Sequence, residues 1–376
     1  MLLKKAGVTF EKVFMDWNAS YIDGRPNRFV KFGFTKDHRE DRPQVTIGLS
    51  MDAATGLPIG LTVMTGNTVD VTHFKKTFKQ IAPFLEKDTL IIFDNGAYSK
   101  ENAELVTEHG LNFLTRSSLN KSDMDRIRSG KDGWVMGEDD ICYCEFTGNL
   151  GHKRCICYSG QKYNDVIDGY YRRAARDYDE MINLKAGIKK GKVRKKYRNG
   201  NMFVDTKLSY LFPLEGRSRE EAIKEAVERK ITSREGFFVL TSSSDVSALK
   251  MLKTYRSGND IETAYRDIKH GIDIRPLRCK NPSSIKGRVL IAFLAYLIIS
   301  FIKYLIPEIE KKTAETIIEE VKSFSVTYVR SEGKVTDTIY SNFTPIIRMI
   351  LATFPTLSEL IRRGERPFLA MKDNRC

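Results

Sequence analysis

Residues 89–94 read TLIIFD, four large apolar side chains in a row closed by an acid. A strand that is apolar on both faces needs cover on both faces, the signature of a central strand in a sheet flanked by helices. The sequence around it agrees. Residues 11–16 (EKVFMD), 28–34 (RFVKFGF), 44–51 and 57–65 read as strands, the last two joined by a turn at 52–56. Residues 69–85 carry apolar side chains at helical spacing, a second helix over 101–109 opens behind Ser99, and 111–115 read as a further strand. Adjacent strands followed by strands alternating with helices predict an α/β fold built on a mixed sheet.

Beyond residue 120 the pattern changes. Residues 133–160 hold short strands, including the paired runs ICYCEF and KRCICY. Residues 172–198 carry eleven Lys or Arg against three acids, and their last part reads as an exposed loop. Strands at 208–211 and 236–241 flank a helix at 219–230. The last third is helical. Asp245 caps 246–255, Gly258 breaks the chain, 260–270 run to a stop at Gly271, and helices follow at 289–302, 308–323 and 344–351. This gives four regions: 1–119, the first part of a core; 120–240, a β-rich and basic insertion; 241–305, the rest of the core; and 306–376, a helical end.

Lys and Arg number 62 against 48 acids, a net charge of +14. That excess favours an anionic partner, nucleic acid first and an acidic membrane surface second. With 41% hydrophobic residues the chain can build a core, which excludes a wholly disordered protein. The longest apolar run, 289–302, has 14 residues. It falls short of the ~18–20 needed to span a bilayer and reads as a buried helix, with no membrane partner. No apolar signal core follows the opening MLLKK, and the six cysteines are too dispersed for a disulfide framework, so an intracellular protein is expected. Cys142 and Cys144, with Cys155 and Cys157, form two Cys-x-Cys pairs that a hairpin could gather around zinc. The one-residue spacer is shorter than structural zinc sites use, and small core cysteines are the alternative. His38, His73, His109, His152 and His270 show no ligand spacing.

Three acids stand out by context. Asp16 and Asp94 close apolar strands, and Glu262 lies on a helix with Arg266 and Lys269. Acids at the ends of adjacent central strands converge on the sheet edge where ligand sites form. Mg²⁺ takes hard oxygen ligands, and two such ions can activate one oxygen of a phosphodiester displacement and stabilise the other. The plain alternatives stay open on residues alone: turn-forming acids at strand ends, and an i,i+4 pair between Glu262 and Arg266.

The segments VFMDWNASYIDG, FGFTKDHREDRPQVTIGLSMDAATGLPIG, TGNTVD, LIIFDNGAYSKEN and YRSGNDIETAYRDIKHGIDIRPL resemble, in order and spacing, the DDE transposases of prokaryotic insertion sequences. The branch is the one whose third acid lies in a Tyr–Arg–Glu–Lys signature, and the likeness runs from about residue 11 to about 300. The resemblance implies an RNase H-like mixed sheet flanked by helices, with a strand-rich insertion between the second Asp and the Glu. It implies Asp16 on the first strand, Asp94 on the fourth and Glu262 on a later helix as catalytic metal ligands, with Mg²⁺ as cofactor and Mn²⁺ as substitute. The implied reaction is strand cleavage at element ends and 3′-OH strand transfer into target DNA. The alternative is a catalytically idle, truncated or domesticated DNA-binding remnant. Tyr255, Glu262 and Lys269 match the signature, while its Arg falls on Gly258, with Arg256 two residues earlier as a substitute. Tyr255, Arg256, Arg266 and Lys269 are the implied DNA contacts. Lys269 lies seven residues from Glu262, two turns on, and so shares its face. Asn67 and Asp70 match a recurrent family segment and read as loop and cap residues. Lys189, Lys190, Lys192, Lys195 and Lys196 suit counterion release on duplex DNA, a solvated loop being the alternative. Expected partners are duplex DNA, both element ends and target, and a second subunit in the DNA complex; the expected location is the cytoplasm, at the nucleoid. Chains of this branch usually carry a DNA-binding domain before the first Asp, so this one reads as N-terminally short.

Overall fold

The computed structural model describes residues 9–33, 41–130, 133–137, 140–148, 151–189, 197–198, 201–202, 208, 210–211, 214, 216–272, 277–279, 281–332 and 334–363. The chain divides into two compact units. One comprises Met1–Thr115, Ser242–Asp245 and Lys250–Cys376; the other comprises Arg116–Thr241 with Val246–Leu249.

The first unit is built on β1 (Lys12–Tyr21), β2 (Gln44–Asp52), β3 (Pro58–Thr65), β4 (Leu90–Phe93) and β5 (Asn112–Ser117), in the order β3-β2-β1-β4-β5. β1, β2 and β3 pair antiparallel. β1, β4 and β5 pair parallel, so the sheet is mixed as expected. Helices α1 (Asp70–Ile81) and α2 (Lys100–Glu108) provide the crossovers. One face of β1 presents Val13, Met15 and Trp17 to Phe74 and Phe78 of α1 and to Phe93 and Phe113 of the neighbouring strands. Phe74 and Phe78, four apart on one helix face, stack at 5.8 Å. The opposite face of β1 carries Phe14, Asp16 and Asn18, because successive side chains alternate across the pleat.

Two sequence expectations change here. Residues 28–34 are not a strand in their described part: Asn27 Oδ1 accepts the N–H groups of Phe29 and Val30, both at 2.8 Å, and this turn leaves a single bridge from Lys31 to Gln44. The apolar run 89–94 thereby becomes the fourth strand. Asp16 does not end its strand either. β1 pairs with β2 from Val13 to Tyr21, which places Asp16 mid-strand.

The second unit opens with α3 (Lys121–Ser129), closed at its start by a reciprocal Asn120–Asp123 capping box. Strands β6 (Val135–Met136), β7 (Ile141–Thr147) and β8 (Lys153–Ser159) follow, then α4 (Gly160–Lys189), α5 (Arg219–Glu228) and β9 (Phe237–Ser242), with strand order β9-β8-β7-β6. In the β7–β8 ladder Cys142 faces Tyr158, Cys144 faces Ile156, Tyr143 faces Cys157 and Glu145 faces Cys155. Opposed residues share a face. The two cysteine pairs therefore lie on opposite faces of the hairpin, which rules out one four-cysteine zinc site. The basic run begins inside α4 and not in a loop; Lys189 is its last residue, and Lys190, Lys192, Lys195 and Lys196 lie outside the described residues. Leu208 and Leu211, read from sequence as a strand, belong to a 3₁₀ turn. Their spacing of three puts both into the α4–α5 cluster with Met181 and Val227.

Back in the first unit come α6 (Ala248–Arg256), α7 (Asn259–Arg266), α8 (Pro282–Leu305), α9 (Ala314–Ser323), the hairpin β10 (Ser325–Ser331) and β11 (Lys334–Ser341), α10 (Pro345–Thr353) and α11 (Pro355–Arg363). The first two residues of α6 fall in the second unit. α8 is 24 residues long, and its length and composition would suffice to cross a membrane. Its inner stripe, Ile285, Val289, Ala292, Tyr296 and Ile299, is buried, and Ile299 packs with Ile306, Ile309, Ile317 and Ile346. Its outer stripe exposes Ile291, Leu294 and Ile298.

Candidate active site

The register of β1 on β4 decides the geometry. Met15 stands opposite Phe93. One step further along each chain stand Asp16, still inside β1, and Asp94, the first residue beyond β4. β4 ends at Phe93, and Asp94 caps the 3₁₀ turn Asn95–Ala97 that follows. Its Oδ1 accepts the Asn95 N–H at 2.8 Å. The same Oδ1 accepts the hydroxyl of Tyr255 at 2.9 Å. Among the described residues no donor reaches Oδ2. Asn102 fixes this turn from behind, its Nδ2 donating to the carbonyls of Ala97 at 2.8 Å and Val71 at 3.0 Å.

Glu262 sits exposed on α7. The break before α7 falls at Gly258, where a Cβ would stand 3.2 Å from the Phe14 ring and 3.2 Å from the Tyr255 carbonyl. Glycine lets this backbone lie close to β1, two residues from Asp16. Three residues past Glu262, Tyr265 is buried, and its hydroxyl donates to the carbonyls of Asp16 at 2.7 Å and Ile47 at 2.9 Å. Burial first, and the Asp16 carboxylate second, push the Tyr265 hydroxyl well above its ordinary pKa, so it stays a donor. No ion pair joins Glu262 to Arg266 among the described residues; Arg266 Nη2 instead reaches Thr263 Oγ1 at 3.5 Å, a marginal contact.

Lys269 departs from its sequence phase. The helix widens into a π turn over Asp267–Gly271, which rotates Lys269 away from the position that two α turns from Glu262 would give. The side chain is buried, and Nζ donates to Asn18 Oδ1 at 2.7 Å. Asn18 lies two residues beyond Asp16, on the same face of β1. Asp70 is the first residue of α1, and its Oδ2 lies 2.9 Å from where a Gly96 Cβ would stand, so its carboxylate rests on the turn that carries Asp94. Asn67 Oδ1 accepts the Thr65 hydroxyl at 3.0 Å, a turn contact. Arg256 ends α6.

The structure thus sets Asp16 in β1 and Asp94 at the end of the neighbouring β4, with Asp70 against the turn that follows Asp94 and Lys269 on Asn18. Among the described residues no group of three or more His, Cys, Asp or Glu side chains is placed to hold a metal ion. Asp16, Asp94 and Glu262 therefore do not form a ready three-acid set. Sequence reasoning missed Asn18 and Tyr265. Their signals were spacing, Asn18 at i+2 from Asp16 on a strand and Tyr265 at i+3 from Glu262 on a helix.

Residues 13–298 match a family model described as a transposase DDE domain. No curated protein matches the chain in sequence. Among solved structures, the cryo-EM structure of a piggyBac transposase synaptic complex with hairpin DNA superposes with a TM-score of 0.43 at 11% identity, over 98% of this chain. The chain spans 57% of the length of that transposase.

Proposed function

The chain belongs to the transposase DDE domain family, and from that premise we propose that it is a metal-dependent DNA strand transferase of the insertion-sequence branch with the Tyr–Arg–Glu–Lys signature. The observation that supports the proposal is the β1–β4 register, whose last pair is Met15 opposite Phe93, so that Asp16 and Asp94 each follow one residue after it.

The donor set suits a hard divalent cation. Asp94 spends only Oδ1 on protein donors, both of them neutral, and a carboxylate oxygen is the hard donor such a cation takes. Asp16 and Asp94 would hold Mg²⁺, or Mn²⁺ in its place, with Glu262 completing the site once DNA brings α7 in. Bound divalent ions supply activation of the attacking oxygen and stabilisation of the leaving one. The substrate is duplex DNA. Water attack at an element end breaks a P–O3′ bond and leaves a 3′-hydroxyl, which takes the proton. That hydroxyl then attacks a target phosphodiester: its oxygen forms the new P–O bond, the target's own P–O3′ bond breaks, and the released target 3′-oxygen takes up the proton. Asp16 orients from a fully paired strand, so its placement costs little reorganisation at the moment of reaction.

The DNA contacts of this reading are Arg256, Arg266 and the basic run with Lys189, Lys190, Lys192, Lys195 and Lys196; the Tyr255 hydroxyl and Lys269 Nζ, first expected at DNA, are engaged by Asp94 and Asn18 instead. We assign 1–119 and 241–305 to the catalytic core, 120–240 to an insertion and 306–376 to a C-terminal region that contains α9, the β10–β11 hairpin, α10 and α11. A second subunit joins in the DNA complex, and the protein acts in the cytoplasm at the nucleoid. The lack, among the described residues, of any group of three acids placed for a metal favours a second reading, an idle DNA-binding remnant.

The test is Mn²⁺-supported cleavage of duplexes carrying the element ends. Asp94→Ala and Asp16→Asn should each lower the rate at least a thousandfold, with circular dichroism and thermal midpoint held. Cleavage retained by either variant removes that residue from the site. An unaltered chain that binds duplex but never nicks it establishes the remnant reading.

A further inference from the structure

The segment that carries Glu262 touches both aspartates through tyrosine hydroxyls. Tyr265, three residues after Glu262, donates to the Asp16 main chain. Tyr255, seven residues before it, donates to the Asp94 side chain at 2.9 Å. The family signature leads one to expect Tyr255 at DNA. The hydroxyl in fact lies on the carboxylate.

The two oxygens of Asp94 are treated differently. Oδ1 receives the Asn95 N–H and the Tyr255 hydroxyl, while Oδ2 receives no donor among the described residues. Both donors are neutral. They fix the carboxylate's rotation without cancelling its charge, as an arginine or lysine would. Asp94 also stands just beyond β4, where no ladder holds it. An exposed carboxylate one residue past a strand loses rotamer freedom when it captures a cation, and a fixed oxygen reduces that loss.

We propose that Tyr255 is a positioning residue for Asp94: its hydroxyl locks one carboxylate oxygen so that the other faces the cation. The proposal rests on the metal-site reading given above. Because Tyr255 and Glu262 lie on consecutive helices broken only at Gly258, the same contact ties the Glu-bearing segment to the second aspartate before DNA arrives. Tyr255 is thereby the link through which movement of α7 is felt at Asp94.

The test uses the full chain without DNA. Mn²⁺ affinity is read from the free-ion electron paramagnetic resonance signal, for the unaltered protein, Asp94→Ala and Tyr255→Phe. Tyr255→Phe keeps the ring and removes one hydroxyl, so the fold and thermal midpoint should hold. Mn²⁺ binding should weaken about 10- to 100-fold, the usual cost of losing a partner of a metal ligand. Affinity for intact duplex, and its salt dependence, should stay unchanged. Unchanged Mn²⁺ affinity with weakened duplex binding overturns the proposal and returns Tyr255 to DNA contact. A lowered thermal midpoint at unchanged Mn²⁺ affinity overturns it in favour of a packing role. If Asp94→Ala binds Mn²⁺ as well as the unaltered chain, the metal-site reading fails and the role of Tyr255 falls with it.

Discussion

Two carboxylates, Asp123 in one unit and Asp94 in the other, are held in opposite ways. In the 116–241 unit, two acids meet arginines. Asp123 is buried against Arg154 at 2.6 Å and also caps α3. Asp179 takes both arms of Arg219, at 2.9 and 2.8 Å. In the other unit, the bonds to Asp94 come from a backbone N–H and a phenol. A cation partner neutralises an acid and makes it structure. A neutral donor aims the acid and leaves its charge for something else. The difference separates stability from chemistry, and each prediction presses on it.

The largest expected effect is on stability. Asp123→Ala leaves the Arg154 guanidinium, 13% exposed, without its carboxylate, and removes a helix cap. Removing one partner of such a pair should cost about 3–5 kcal/mol. The chain's two tryptophans fall one in each unit, Trp17 in the first and Trp134 in the second. Urea unfolding followed by Trp134 in a Trp17→Phe background should show the loss, with Mn²⁺ affinity intact. Loss of Mn²⁺ binding in Asp123→Ala would break the separation.

A smaller effect follows pH. His73 is fully buried, Nε2 meets the Thr62 hydroxyl at 2.8 Å, and Nδ1 has no partner among the described residues. Burial, and then Lys76, hold its pKa down at about 3. The folded pKa lies below the unfolded value of about 6.5, so the unfolded chain takes the proton first. The stability is therefore present above pH ~6.5 and is lost as pH falls toward 3, by up to about 1.4 kcal/mol per unit. Trp17 fluorescence in a Trp134→Phe background should report a loss of about 2–3 kcal/mol between pH 6.5 and 4.5. His73→Gln should flatten that slope; an unchanged slope assigns it to the carboxylates.

What the sequence made legible follows the same divide. The mixed sheet was legible in its apolar runs, because strands buried on both faces write themselves as continuous hydrophobic runs. Partners written in single polar atoms were not legible. Nothing local announces that Tyr265 meets the Asp16 carbonyl or that Lys269 meets Asn18, contacts 249 and 251 residues apart in sequence. The π turn at 267–271 is invisible to a phase argument that assumes regular α geometry, and it moved Lys269. The hairpin of β10 and β11 was missed although SVTYVRS and KVTDTIYS are rich in β-branched residues, because the helical reading of the last third was carried past residue 323.

The smallest expected effect sharpens the comparison on the cationic side. A lysine that neutralises a phosphate adds about 0.9 to the log–log salt slope of duplex binding. The basic run has lysines of that kind in prospect: replacing Lys189, Lys190, Lys192, Lys195 and Lys196 by Gln should lower the slope by up to four or five. Lys269 is buried, and its Nζ is engaged by Asn18. A cation held by a strand residue beside Asp16 acts on the site and not on the atmosphere of counterions around DNA. Lys269→Met should therefore leave the salt slope unchanged while lowering cleavage about tenfold, roughly 1.4 kcal/mol of barrier. Asn18→Ala, which removes the Nζ–Oδ1 bond, should reproduce that loss. If Lys269→Met lowers the slope by one and spares cleavage of bound duplex, the lysine leaves Asn18 for a phosphate when DNA binds. Its place in the comparison then shifts from the acids of the site to the cations of the DNA surface.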